Sequence, residues 1–258
     1  MRKVALIGSG ISYSASPRMQ EAAFRAAGLD WVYELWDVPA GGLAEAVRRL
    51  HAHEMAGANV TIPHKVSVID LLDGVEGEAE AAGAVNTVRR ERDRLVGSNT
   101  DVAGVRAALR ETGISPPGCE AVVLGAGGSA RAAAVALRGA RVTFVARRAG
   151  ALTGPVVSWE GDEWWALARR ADLLLNATPL GRSGELAAPA MALPADGAVI
   201  DLVYTAGGTP LVGAARERGL RVADGWTVLA AQGATSFQAW TGRTADLAAM
   251  RAALEMTG

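Results

Sequence analysis

Residues 121–131 read AVVLGAGGSAR. A short apolar run leads into Gly125, Gly127 and Gly128, and an alanine-rich stretch of helical character follows. That order is what a dinucleotide site requires. The strand carries the chain to a tight turn, and glycine removes the Cβ atoms that would block a pyrophosphate. The start of the helix then presents unbonded N–H groups to the anion. Glycines after a strand can also mark a plain turn, so the surroundings decide. A second strand, Arg141–Ala146, ends about 20 residues after Gly125, which makes the segment a βαβ unit of dinucleotide-binding length.

Downstream, the pattern predicts a helix over 162–170, a strand over 172–177, a strand over 198–203, a helix near 210–218 and a strand over 221–223. Beyond Gly225 the chain reads as helical to its end, with a break near Thr241-Gly242. Trp164 and Trp165 read as packing residues of the first of these helices. Upstream, Gly113–Gly118 contains Pro116-Pro117 and is the clearest punctuation in the chain, and Asp101–Thr112 just before it is helical. The N-terminal part alternates in the same way: strands over 4–7, 32–36 and 56–62, and helices over 16–27 and 42–53. Such a rhythm predicts a mainly parallel sheet covered by helices. A further helical segment is expected over 64–72. Residues 84–100 read as a hairpin whose tip, RRERDR, is a solvated turn.

With 258 residues, half of them apolar and 21% charged, the chain has globular composition and room for two cores. A net charge of -1 gives no electrostatic reason to expect nucleic acid or an acidic membrane surface. Cys119 is the single cysteine, which excludes an intrachain disulfide and suits a reducing compartment. MRKVALIGSG reads as a first strand and not as a signal peptide, and no apolar run has membrane-spanning length. A cytoplasmic location is expected. The three histidines are His51, His53 and His64, whose spacing makes no metal site, so no metal is expected.

Ser14 and Ser16 flank the start of the first helix, where a negative group is favoured. Spacing alone leaves two readings open: an anion contact, or an N-cap at Ser16 beside a loop hydroxyl. In GANVTIPHK, residues 57–65, Asn59 and Thr61 share one face at the C-terminal end of a parallel strand, where α/β folds place ligands. Lys65 follows. Only it and Lys3 are lysines among 26 basic residues, so this chain retains lysine where arginine would serve almost anywhere else. Arginine cannot release its proton near neutral pH, whereas a partly desolvated lysine can. Asp101 caps the helix that follows or orients Lys65, and Asn86 is polar among apolar neighbours. At the end of the second strand of the βαβ unit, an acid would bind the ribose 2′-hydroxyl of NAD. Ala146 is instead followed by Arg147 and Arg148, which suits the 2′-phosphate of NADP.

Taken together, the segments resemble the shikimate dehydrogenase family. They are S-x-S-P (Ser14–Pro17), G-A-N-V-T-I-P-H-K, G-A-V-N-T (Gly83–Thr87), N-T-D (Asn99–Asp101) and G-A-G-G-S-A-R (Gly125–Arg131). N-A-T-P-L-G (Asn176–Gly181), D-L-V-Y (Asp201–Tyr204), Q-G-A (Gln232–Ala234) and W-T-G (Trp240–Gly242) complete the series. The resemblance implies an α/β chain of two domains. One is a mainly parallel substrate domain, residues 1–101, completed by C-terminal helices near 230–258 that return to it. The other is a Rossmann NADP-binding domain, residues 102–229. It implies reversible NADPH-dependent reduction of 3-dehydroshikimate to shikimate, a step of chorismate and aromatic amino-acid biosynthesis. Lys65 matches the catalytic lysine, with Asp101 beside it. Ser14, Ser16, Asn59, Thr61, Asn86, Tyr204 and Gln232 match substrate contacts. The candidate cofactor contacts are Gly125, Ala126, Gly127, Gly128, Ser129, Ala130, Arg147, Arg148, Thr178, Leu202 and Gly225. Tyr13, Ala146-Arg147-Arg148 and Val228 depart from the family's usual histidine, Asn-Arg-Thr and methionine. The rival readings are a quinate-acting paralogue and a non-catalytic NADP sensor, and binding alone would need neither Lys65 nor Asp101. A homodimer is a candidate assembly.

Overall fold

The computed structural model describes residues 1–148, 152, 154–184, 190 and 192–255. The chain forms two compact units, Met1–Asp101 with Ala230–Gly258, and Val102–Leu229. In the first, β1 (Arg2–Gly8), α1 (Ser16–Ala26), β2 (Trp31–Asp37), α2 (Leu43–Arg49) and β3 (Met55–Val60) follow the alternation the sequence shows. β4 (Gly74–Val75), α3 (Glu78–Ala82), β5 (Thr87–Glu91) and β6 (Arg94–Ser98) come next. The sheet order is β2-β1-β3-β5-β6-β4. β1 runs parallel to both β2 and β3, and the hairpin β5–β6 adds antiparallel strands beside β3. β3 is buried on both faces, and Leu43, Val47 and Leu50 of the α2 region bury the apolar stripe that their spacing predicts.

Two expectations are corrected here. Residues 64–72 form turns and a short 3-10 segment, Ile69–Leu71, instead of a helix. The carbonyl of Lys65 accepts from Val85 N–H (2.7 Å), and the buried His64 ring bonds the Val38 carbonyl (2.7 Å), so the segment is tied sideways and no helical ladder forms. The hairpin is also narrower than 84–100, because Ala84–Asn86 lie outside its ladder. β4 and α3 went unseen because two and five residues are too few to show a period.

The second unit is entered through α4 (Asp101–Thr112). It then contains β7 (Glu120–Leu124), α5 (Gly128–Ala136), β8 (Arg141–Ala146), β9 (Val156–Ser158) and α6 (Glu163–Ala168). β10 (Leu173–Asn176), β11 (Ala198–Asp201), α7 (Pro210–Glu217) and β12 (Arg221–Ala223) follow. The sheet order is β12-β11-β10-β7-β8-β9, and every pairing is parallel. Counted within the unit, the strand order is third, second, first, fourth, fifth, sixth. That is the doubly wound order with its switch point beside β7, the strand that runs into Gly125. β10 and β11 are buried throughout, as strands covered by helices on both faces must be. The alanines of α5 (Ala130, Ala132, Ala133, Ala136) let its backbone approach the sheet closely. Three-residue β9 begins just after Pro155 at the sheet edge, where a missing N–H is tolerated but the sequence signal for a strand is weak. Trp164 stacks on Trp159 with ring centroids 5.7 Å apart, as a packing residue.

The chain returns to the first unit along α8 (Gly225–Thr241) and ends in α9 (Leu247–Glu255). Phe24 of α1 meets Phe237 of α8 with centroids 5.6 Å apart, and the Gln20 amide donates to the Gly233 carbonyl (2.9 Å). No helix among the described residues is long and apolar enough to cross a membrane.

Candidate active site

The end of β3 and the turn after it place Thr61 and Lys65. A side chain at Gly8 would overlap the Thr61 methyl, so the bare backbone at the end of β1 lets the Thr61 turn settle against it. Lys65 Nζ lies 2.5 Å from Asp101 Oδ2, and only 11% and 14% of these side chains are exposed. Asp101 stands at the first position of α4, and its backbone N–H donates to Asn99 Oδ1 (3.1 Å). The Asp101 carboxylate meets Lys65 on one oxygen and the Asn86 amide on the other (2.8 Å). Asn86 Oδ1 accepts the backbone N–H of Thr100 (2.7 Å), which fixes the orientation of its amide and turns the nitrogen toward Asp101. Gln232, reaching in from α8, places Oε1 3.4 Å from Asn86 Nδ2 and 3.3 Å from the Thr100 hydroxyl.

Asn59 belongs to the same cluster in a different way. Its nitrogen faces the Asn86 carbonyl, Thr87 Oγ1 and Ser236 Oγ at 3.0–3.1 Å, and its oxygen accepts from Tyr33 (2.8 Å). These are all protein partners, so Asn59 braces the cluster from behind. Ser14 Oγ accepts the Ser16 N–H (3.2 Å), and the N-cap residue of α1 is Ala15, with no side-chain cap. Capping by Ser16 is therefore overturned, because Ser16 is already the first helical residue and its hydroxyl cannot reach back as a cap does. Tyr204 lies in the second unit, its ring 4.8 Å from that of Trp226.

The second unit builds its own site at the carboxyl ends of its strands. Gly125 takes φ +111°, which only glycine adopts without strain, and a Cβ there would sit 3.2 Å from the Ala177 carbonyl oxygen. Gly127 faces open space, and no side chain caps the N-terminus of α5. This bare cradle of backbone N–H groups fits a dinucleotide pyrophosphate. Arg147 and Arg148 follow β8 directly and are exposed. Thr178 follows β10, Leu202 follows β11, and buried Gly225 approaches Val203 so closely that a Cβ would lie 2.5 Å from its carbonyl.

Two residues there were not anticipated. Asn176 donates to Asp201 (2.9 Å) and accepts from the Thr178 hydroxyl (2.6 Å). Asp201 accepts from Val203 N–H (3.0 Å) and the Thr209 hydroxyl (2.6 Å). The pair ties together the loops after β10 and β11. Burial raises the Asp201 pKa, against hydrogen bonds that lower it. The signal was a carboxylate closing the apolar run AVID, which a buried strand carries only with partners. A cavity of about 540 Å³ lined by Glu120, Arg138, Arg141 and Arg170 lies at the opposite, N-terminal ends of β7 and β8, away from the cradle. Among the described residues no group of three or more His, Cys, Asp or Glu could hold a metal ion.

A family model described as the shikimate dehydrogenase substrate binding domain matches residues 6–88. Another, the shikimate 5'-dehydrogenase C-terminal domain, matches residues 225–255. A shikimate dehydrogenase (NADP(+)) of Moorella thermoacetica is 43% identical over 266 residues, covering 96% of this chain and 90% of the relative. The solved shikimate 5-dehydrogenase of Thermus thermophilus in complex with NADP(H) and shikimate superposes with a TM-score of 0.84 at 36% identity, over 99% of both chains. The ligand-free 5-ketofructose reductase of a Gluconobacter strain reaches the same TM-score at 35% identity, over 98% of both.

Proposed function

The chain belongs to the shikimate dehydrogenase family, and from that premise we propose which of its residues hold shikimate, which hold NADP and which move the proton. It is an NADP-dependent oxidoreductase that interconverts 3-dehydroshikimate and shikimate. Residues 1–101 with 230–258 form the substrate domain and 102–229 the NADP domain. The observation that carries the assignment is the buried Lys65–Asp101 pair with Asn86 on its far oxygen.

When bound, NADP(H) supplies hydride chemistry at its nicotinamide ring. In the reducing direction Lys65, held as a cation against Asp101, gives its proton to the ketone oxygen. In the oxidising direction it takes the hydroxyl proton back. Asp101 and Asn86 fix where the amine stands, and Thr61, Gln232 and Tyr204 hold ring hydroxyls. Ser14 and Ser16 bind the substrate carboxylate, with the positive end of α1 behind them. On the cofactor side, the backbone from Gly125 to Ala130 receives the pyrophosphate and Arg147 and Arg148 the 2′-phosphate. Thr178, Leu202 and Gly225 border the nicotinamide end.

The carboxylate is what separates this substrate from a neutral sugar ketone such as the one the Gluconobacter neighbour's name implies. Shikimate as sole substrate should therefore reduce NADP, followed by absorbance of the reduced nicotinamide, with quinate assayed beside it. Quinate turned over as fast as shikimate would move the chain to the quinate-acting branch.

Ser14→Ala and Ser16→Ala should each raise the shikimate KM about tenfold or more, the size of a lost hydrogen bond to a charged group, with kcat falling less. Ser14→Ala also removes the acceptor of the Ser16 N–H at the start of α1, whereas Ser16 caps nothing, so a thermal melt of each variant separates stability from the KM effect. Parental KM in both variants would put the carboxylate elsewhere.

A further inference from the structure

Behind the Lys65–Asp101 pair lies a closed triangle of hydroxyls. Thr87 Oγ1 and Ser236 Oγ are 2.9 Å apart, Thr100 Oγ1 and Ser236 Oγ 3.0 Å, and Thr87 and Thr100 3.2 Å. All three residues are buried, and Ser236 is fully so. The orientations of the two amides that face the triangle can be assigned. Asn86 Oδ1 faces the Thr100 N–H, a donor only, so its nitrogen donates to Thr100 Oγ1 (2.9 Å). The Asn59 nitrogen faces a backbone carbonyl, an acceptor only, so one of its hydrogens goes there and the other is shared between Thr87 and Ser236 (3.0 Å each). Both amides thus send N–H groups into the triangle, and each hydroxyl must pass its own proton on.

The exits are few. Ser236 Oγ lies 3.0 Å from the Gln232 main-chain carbonyl one turn earlier on α8, and Thr100 Oγ1 lies 3.3 Å from Gln232 Oε1. The remaining exit is Asn86 Oδ1, at 3.1 and 3.2 Å from Thr87 and Thr100. The main-chain carbonyl and the side-chain oxygen of Gln232 thus both lie within hydrogen-bond reach of hydroxyls of the same triangle.

We propose that Ser236, which touches no substrate, is a positioning residue of the reaction: through the hydroxyl triangle it sets the register and amide orientation of Gln232 against Asn86. The inference rests on Gln232 being a substrate contact. Without the Ser236 hydroxyl, Thr87 and Thr100 lose a shared partner, and the tie of α8 to β5 nearest Gln232 is gone while the Trp240 Nε1–Val88 carbonyl bond (3.0 Å) remains.

The test is a double-mutant cycle on the full chain with NADP and shikimate. Ser236→Ala should raise shikimate KM roughly tenfold, with kcat and NADP KM close to parental and the pH profile of kcat unmoved. In a Gln232→Ala background the same change should add nothing further to KM. Ser236→Thr, which keeps the hydroxyl, should recover most of the parental KM. If Ser236→Ala does not fold, Ser236→Cys takes its place with the same expectations. A folded Ser236 variant with parental KM would overturn the proposal, and so would an undiminished further rise in the Gln232→Ala background. A parental KM in Gln232→Ala alone would overturn it by removing Gln232 as a substrate contact, and the Ser14 and Ser16 assignment would stand unaffected.

Discussion

The expected result of Lys65→Ala is a fall in kcat on the order of 10²- to 10⁴-fold, the usual size of a general acid–base contribution. Lys65→Arg should not restore it. The guanidinium keeps the charge beside Asp101 and most of the reach, but it is a very poor proton donor and acceptor near neutral pH. The geometry sharpens the comparison. Lys65 and Asp101 are both largely buried, so removing the amine leaves a carboxylate with only the Asn86 N–H on its far oxygen. An uncompensated buried charge destabilises the fold, so the alanine variant is also expected to melt earlier. The arginine variant keeps a cation at the carboxylate and should lose much less stability. Circular dichroism melts, with kcat referred to folded enzyme, separate the two effects. Shikimate Kd by titration should change far less than kcat, since Ser14, Ser16 and Thr61 remain. An arginine variant within a few-fold of parental kcat would reduce Lys65 to a positive charge. A loss confined to Kd would make it a substrate anchor.

Why the sequence already proposes Lys65, whereas Ser236 is proposed only from the structure, is a matter of range. Lys65 stands within a few residues of a strand end, and it is one of two lysines in an arginine-using chain. Both signals are local. The βαβ unit around Gly125 is legible for the same reason, because strand, turn and helix are contiguous and the parallel sheet follows from their order. Ser236 is one of several polar residues along α8, which also carries Thr227, Gln232, Thr235, Gln238 and Thr241, and nothing local sets it apart. Its partners outside α8 lie 136 to 177 positions away. No periodicity carries such information. Asn59 shows another limit: the strand pattern marks it as a polar residue at a strand end, but its bonds to Tyr33, Asn86, Thr87 and Ser236 are visible only in the structure. Residues 64–72 failed because apolar spacing suggested a helix, while the deciding fact was a carbonyl committed to Val85 across the fold. Ser16-Pro17 gave the start of α1, but the residue that occupies the cap position, Ala15, carries no sequence signal for it.

Arg147→Ala should weaken NADP binding about ten- to a hundredfold and hardly change that of NAD. A charge-assisted contact to phosphate is worth roughly 1.5–3 kcal/mol, and NAD lacks the phosphate. The position is set by β8, which ends at Ala146 next to β7, so the two arginines begin the loop on the side of the sheet where the cradle opens. No carboxylate stands there to bind a ribose 2′-hydroxyl or to repel a 2′-phosphate. Both arginines are exposed, and solvent and salt act on them. The preference for NADP should therefore narrow as ionic strength rises and the Debye length shortens. Arg148 is adjacent and carries the same charge, so it can partly replace Arg147 in the single variant. The Arg147→Ala/Arg148→Ala pair should remove the preference altogether, leaving equal Kd for the two dinucleotides. That convergence must come from NADP weakening, not from NAD tightening, because the pyrophosphate cradle at Gly125–Ala130 serves both alike. Equal NADP and NAD affinities in the parent chain would overturn the assignment. A double variant that loses both dinucleotides together would mean that the arginines hold the loop and not the phosphate.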